Sequence, residues 1–154
     1  MILIILFIIF VLFLLLIMTF SHAPIFKISK DRIVQIKKYG LLHFTSKENA
    51  KTIIETNKLI GTKSNMSFLE KRLGKMIWFY DNVPKQLECK HNCLIKKYKA
   101  QNQKGAYDVC LLVTNLNDDH LKKFHTRKGL INDSPSVYFG DELNNVKITI
   151  LKRW

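Results

Sequence analysis

The sequence predicts an α+β domain, built on a mixed or mostly antiparallel sheet, behind one N-terminal transmembrane helix. Almost every residue from Ile2 to Phe20 is apolar, and a run of about 19 such residues is long enough to cross a bilayer as a helix. Further along, a short apolar strand leads directly into a capped helix near His43. In the second half, strands outnumber helices without the regular alternation of parallel βαβ units.

The first 22 residues are predicted to be a retained anchor, the alternative being a cleaved signal peptide. The apolar run exceeds the usual signal-peptide core of about 7–15 residues, no Lys or Arg precedes it, and Pro24 would directly follow a cut after Ala23. Basic residues gather in the connector predicted at 23–40. Because cytoplasmic flanks of membrane helices are rich in Lys and Arg, we expect a single-pass protein of the cell membrane with residues 41–154 in the cytoplasm.

All of the formal charge of +13 lies outside the apolar segment. So large an excess suits contact with nucleic acid, an anionic cofactor or anionic lipid of the inner leaflet. The alternative is a solvated lysine-rich surface, since the lysines are spread along the chain and no nucleic-acid-binding motif with interleaved aromatic residues is present. A macromolecular acceptor or protein partner stays unidentified at this level.

The most informative stretch joins a strand at 41–44 to a helix at 46–57. Thr45 and Glu48 have capping-box spacing, so the hydroxyl of one and the carboxylate of the other are expected to satisfy free N–H groups at the helix start. His43 then lies close to a helix N-terminus, where anions bind well. The alternative for His43 is a packed, hydrogen-bonded strand residue.

The remaining elements follow from hydrophobic periodicity and turn signals. An amphipathic helix is possible within the connector. The other predicted elements are a short helix at 67–73, an aromatic strand at 75–80, a helix and loose loop at 85–103, a buried strand at 107–113, a short helix at 117–124, and strands at 136–139 and 146–151.

The sequence has no P-loop, dinucleotide fingerprint, zinc-protease helix or nucleophile elbow, so the enzyme classes that these short motifs identify are excluded. Cys89, His91 and Cys93, with Cys110, have the ligand types of a zinc site. No second paired cluster accompanies them, so we predict no metal site and interpret Cys89 and Cys93 as ordinary helix residues. The odd number of cysteines does not suit a secreted disulfide framework.

The order apolar residue, histidine, aromatic residue, Thr or Ser, then helix resembles the first strand and helix of the ADP-ribosyltransferase superfamily. The similarity is to DarT-like DNA-modifying toxins, RNA 2′-phosphotransferases and small bacterial or phage proteins of that fold. The chain carries this pattern in Leu42-His43-Phe44-Thr45-Ser46, Ala50, Ile53-Ile54 and Leu59-Ile60. Later strands resemble those families in pattern only, over most of residues 41–151. The resemblance implies a split two-sheet fold with a cleft that holds NAD.

The resemblance also implies roles for single residues. His43 matches the histidine that bonds the nicotinamide ribose, and Thr45 belongs to the same cofactor-binding motif. Tyr80 and Tyr138 are both candidates for the aromatic residue that stacks on the nicotinamide. Glu142 is the candidate for the acid that assists ribosyl transfer, although no Glu-x-Glu or Gln-x-Glu pair is present.

Two functions follow from these expectations. The first is a membrane-anchored enzyme that transfers ADP-ribose from NAD to a cytoplasmic macromolecule, or acts on a phosphorylated RNA end. In it a carboxylate stabilises an oxocarbenium-like ribose as nicotinamide leaves, and Arg127 with nearby lysines holds the pyrophosphate. The second is a catalytically inactive, basic, membrane-anchored binding module with a role in immunity, exclusion or regulation.

Overall fold

A computed structural model describes residues 6–12, 25–63, 74–99, 105–127 and 136–154. The strands are β1 (Ile25–Lys27), β2 (Leu41–Thr45), β3 (Leu59–Ile60), β4 (Thr62–Lys63), β5 (Lys75–Asp81), β6 (Val109–Thr114), β7 (Phe124–Arg127), β8 (Ser136–Phe139), β9 (Glu142–Leu143) and β10 (Lys147–Arg153). The helices that follow residue 24 are α1 (Lys30–Tyr39), α2 (Lys47–Thr56), α3 (Leu87–Lys99) and α4 (Asp118–Lys122).

The predicted transmembrane helix is wrong. Within the described ranges, no helix is both long enough and apolar enough to cross a membrane. Residues 6–12 of the apolar run are helical. The prediction depended on the number of consecutive apolar residues, which does not by itself fix the length of a helix. Its remaining residues, 1–5 and 13–22, lie outside the described part of the chain.

The sheet is antiparallel at every described pairing, and the protein is α+β as the sequence predicts. Seven strands follow one path in the order β1-β7-β8-β5-β2-β6-β10, with β4 added beside β5 and a separate pair formed by β3 and β9. Strands β2 and β5 pair at only two positions, Leu41 with Asp81 and Leu42 with Tyr80. The two halves of the sheet are therefore joined by a short contact and separate beyond Leu42.

Helices cover both faces of the sheet. The larger core contains Ile36 of α1, Ile53 of α2 and Leu121 of α4. The smaller core lies under α3, where Leu94 packs with Leu42 of β2. Since adjacent residues of a strand point to opposite faces, this division assigns every β2 side chain to one core or the other.

The residues predicted as a connector form part of the fold. Strand β1 pairs with β7, and Ile36 of α1 is buried in the larger core. The Ser29 side chain caps α1 by accepting from the Arg32 N–H, and Gly40 ends the helix with φ +74°. A partly buried ion pair between Arg32 and Asp81, 2.9 Å long, also fastens α1 to the sheet. Residues 25–39 therefore position the strand that carries His43.

Local signals placed most elements within a few residues. The observed β8 has the predicted bounds, and Asn117 caps α4 as expected by accepting from the His120 N–H. The predicted cap at Thr45 is wrong, because Thr45 is still in β2 and the Ser46 hydroxyl accepts from Asn49 N at 3.2 Å. The predicted helix at 67–73 lies outside the described residues.

Candidate functional site

His43 lies where the two halves of the sheet separate. On one side β2 keeps its ladder with β6, His43 facing Leu111, while on the other side the β5 ladder has stopped at Leu42. The imidazole occupies this opening, with Nδ1 3.0 Å from the carbonyl oxygen of Trp78 and its ring 5.6 Å from that of Phe79. A carbonyl oxygen only accepts hydrogen bonds, so Nδ1 is the donor and Nε2 carries the lone pair of the neutral ring.

The electrostatics of the site keep this ring neutral. Burial lowers the pKa of His43, and the hydrogen bond to the Trp78 carbonyl opposes that shift only in part. The ring therefore stays uncharged at pH 7, and the Nε2 lone pair is an acceptor for a hydroxyl or N–H group. A neutral acceptor at the mouth of a split sheet suits a ribose hydroxyl better than it suits a phosphate.

Thr45 shares a face of β2 with His43, two residues further along the strand. Its side chain is buried, and its backbone pairs with Val109 of β6. Thr45 is therefore a buried strand residue on the same face as His43, and the neighbouring Ser46 caps the helix.

Tyr80 points to the opposite face of the sheet from His43. Its backbone faces Leu42, whose side chain belongs to the smaller core, and its ring meets Phe44 edge-on at 5.6 Å. Cross-strand partners share a face, so Tyr80 packs toward α3. The structure does not bring Tyr80 and His43 together.

Tyr138 lies on the same side as His43 but inside the larger core, with 2% of its surface exposed. Its ring contacts Phe124 at 5.2 Å, which in turn contacts Phe79 at 5.4 Å. Its hydroxyl donates to the backbone oxygen of Glu142 at 3.3 Å. Two phenylalanine rings thus connect Tyr138 to His43, and Tyr138 offers no open ring face to a ligand.

Glu142 lies in β9, in the two-stranded sheet, with an exposed side chain. One carboxylate oxygen is 3.5 Å from Lys58 Nζ, and the other accepts from Asn144 Nδ2 at 2.6 Å. Its described partners are therefore surface groups and do not include His43. Arg127 ends β7 and faces Ile25 across the ladder, and its side chain lies outside the described residues.

The cysteine and histidine residues of α3 do not converge. Cys89 and Cys93 are exposed. His91, which lies between them in the sequence, is buried, and its Nε2 atom is 3.1 Å from the Tyr107 carbonyl oxygen. Burial raises the pKa of the Cys110 thiol to about 12, so this thiol is protonated at neutral pH. Among the described residues, no group of three or more His, Cys, Asp or Glu side chains could hold a metal ion.

Two features of the site region have little signal in the sequence. The partner that orients His43 is the backbone carbonyl of Trp78. Every residue has such a carbonyl, so the residue type at position 78 does not indicate the contact. The C-terminal Trp154 stacks on the His91 ring at 3.6 Å and lines a groove beside α2. An aromatic residue at the end of an alternating strand is the only sequence feature that could have indicated it.

Comparison of the chain with protein-family models, with curated proteins and with solved structures found no match. The functional argument therefore depends on the geometry around His43 and on the resemblance of its segment.

Proposed function

We propose that the chain is an NAD-binding protein of ADP-ribosyltransferase type, in which Nε2 of His43 accepts a hydrogen bond from a ribose hydroxyl. The observation that carries this proposal is the Nδ1 contact to the Trp78 carbonyl, which leaves the Nε2 lone pair for a ligand. The same histidine stands in the segment that resembles the superfamily. The excess positive charge of the chain favours an anionic cofactor and an anionic macromolecular acceptor, such as nucleic acid.

The experiment is calorimetric titration of the full chain with NAD, using two substitutions of matched shape. In His43→Asn the amide can still donate to the Trp78 carbonyl, but the acceptor at the Nε2 position is gone. In His43→Gln an amide oxygen can reach the Nε2 position. Loss of one hydrogen bond should weaken NAD binding about tenfold in His43→Asn, with partial recovery in His43→Gln. Wild-type protein that does not bind NAD would refute the proposal.

Transfer of ADP-ribose is a further step that needs more than binding. The glycosidic bond to nicotinamide breaks, a bond forms between the ribose C1 and an acceptor nucleophile, and the acceptor proton passes to a base. A carboxylate near the ribose is the usual stabiliser of the positive charge that develops. Glu142 would have to leave Lys58 and Asn144 to supply it.

A non-catalytic binding module of the same fold is the second candidate. The buried position of Tyr138 and the surface ion pair of Glu142 favour it. The two candidates differ in nicotinamide release, which chromatography measures directly after incubation with NAD. If the wild-type chain releases nicotinamide and the Glu142→Gln variant does not, the enzyme is supported. NAD binding without release of nicotinamide supports the module.

A further inference from the structure

Strand β10 forms one edge of the large sheet. It pairs with β6 on one side, and in the described part of the chain no strand pairs with its other side. The outward N–H and C=O groups of such an edge can bind another extended chain. A register shift between Ile150 and Lys152 interrupts the strand, so the regular edge available for pairing is 147–150.

A groove of about 650 Å³ lies beside this edge, between α2 and the end of β10. Its bed is largely apolar and includes Ala50 and Ile54 of α2, Val109 of β6 and Ile150 of β10. Ile54 and Ile150 are exposed by 39% and 37% respectively. The volume is within the range of about 300–1,000 Å³ that is typical of ligand sites. An open strand edge and an apolar groove therefore adjoin.

The cations of the groove indicate the charge of its occupant. Three cations, Lys47, Lys51 and Arg153, line it beside one acidic residue, Glu55, so positive charge is in excess. The two lysines have acidic neighbours at 3.8 and 3.9 Å, and these long, solvent-exposed pairs contribute little energy. The ammonium groups can therefore exchange these neighbours for acidic groups of a partner.

A second copy of the chain is a poor occupant. Self-pairing of β10 would bring together two strands that each carry Lys147, Lys152 and Arg153 and no acidic residue, and like charges brought close across a ladder destabilise it. Each copy also carries a formal charge of +13, which adds long-range repulsion. The same charges attract an acidic strand.

We propose that the edge of β10 and the adjoining groove bind an extended acidic peptide segment of a partner protein. The peptide backbone pairs with residues 147–150, its apolar side chains contact Ile54 and Ile150, and its carboxylates meet Lys51 and Arg153. Ile150 faces Leu111 of β6, which in turn faces His43 of β2, so the groove lies two strands away from the histidine of the proposed NAD site.

The test uses the full chain and short synthetic peptides that alternate Glu with Val, followed by fluorescence anisotropy. The Glu peptide should bind, with an affinity that falls as salt is added, and a Lys-Val peptide of the same length should not. A Glu-Val peptide with N-methyl groups on alternate amides keeps the side chains but loses the donors for the edge. Its binding should be weaker by about tenfold or more.

Charge reversals locate the site. Lys51→Glu and Arg153→Glu should each weaken binding of the Glu peptide by about tenfold. Lys85→Glu, at an exposed lysine outside the groove, should change it by less than about twofold. Amide hydrogens of residues 147–150 should exchange more slowly when the peptide is bound. Circular dichroism checks that each variant is folded.

Three results would overturn the proposal. The first is equal binding of the Glu and Lys peptides, or binding that the groove reversals do not change. The second is protection of residues 147–150 that appears with rising chain concentration and without peptide, which would indicate self-association. The third is a single-stranded oligothymidylate that binds more tightly than the Glu peptide and loses affinity with the same reversals, which would indicate a nucleic-acid site.

Discussion

Replacement of Gly40 by alanine is predicted to destabilise the fold strongly, because two separate costs apply at this position. Gly40 joins α1 to β2 with φ +74° and ψ −172°, a region that is essentially restricted to glycine and costs other residues about 1–3 kcal/mol. A Cβ there would also lie 2.6 Å from the Val113 carbonyl oxygen and 2.7 Å from Thr114 Cγ2. Both neighbours belong to β6, a strand paired on both sides.

The steric conflict cannot relax by a simple rotamer change, since one partner is a backbone oxygen. Overpacking of this kind costs about 1–3 kcal/mol, so the two terms together lower the free energy of unfolding by about 2–6 kcal/mol. The substitution should also weaken NAD binding, because Gly40 sets the start of the strand that carries His43. Urea unfolding of the full chain, followed by circular dichroism, measures the first effect.

Gly105→Ala is the matched control for this prediction. Gly105 also has a positive φ, of +79°, but a Cβ there would lie 3.5 Å from an Asp108 carboxylate oxygen, an ordinary contact. Only the backbone cost, about 1–3 kcal/mol, applies at Gly105. If Gly40→Ala costs no more than Gly105→Ala, the reasoning about the approach of β6 is refuted.

Two further predictions concern stability. Arg32→Met removes the partly buried hydrogen bond to Asp81 and should cost about 1.5–3 kcal/mol in urea unfolding, whereas Lys122→Met, at an exposed ion pair, should cost less than about 1 kcal/mol; equal costs would contradict the role given to burial. Burial lowers the pKa values of His43 and His91 in the folded protein. The contribution of the neutral rings to folding stability is therefore fully present above the unfolded pKa of 6.5, and it is lost as the pH falls through the lower pKa values of the folded state. Unfolding measured between pH 7.5 and pH 5 should therefore show stability falling by up to about 1.4 kcal/mol per pH unit for each histidine, and a flat profile would count against neutral buried rings.

Strand and helix positions were predictable where the signals are local. The strand at 136–139 is bounded by turn residues and matches β8, and the Asn117 cap follows from its own side chain. The choice between Thr45 and Ser46 as the cap of α2 is different, because both carry a hydroxyl. Pairing of Thr45 with Val109 on a distant strand decides it, and this information is not local.

The arrangement of the candidate site was much less predictable, because it depends on register between distant strands. Alternation along β5 puts Phe79 and Tyr80 on opposite faces, but only the pairing of Tyr80 with Leu42 shows which face is that of His43. Tyr138 lies in an apolar run, and such a run is equally typical of a strand whose aromatic residue packs in the core and of one whose aromatic residue contacts a ligand. Its burial follows from packing against Phe124.

The most direct test of the central claim is nitrogen NMR of the His43 ring, with and without NAD. The structure requires a neutral ring with the proton on Nδ1 and a lone pair on Nε2. We predict this tautomer in the free protein near pH 7, and a shift of the Nε2 resonance as its lone pair accepts a hydrogen bond from NAD. A proton on Nε2 in the free protein, or an Nε2 resonance that saturating NAD leaves unchanged, would contradict the account.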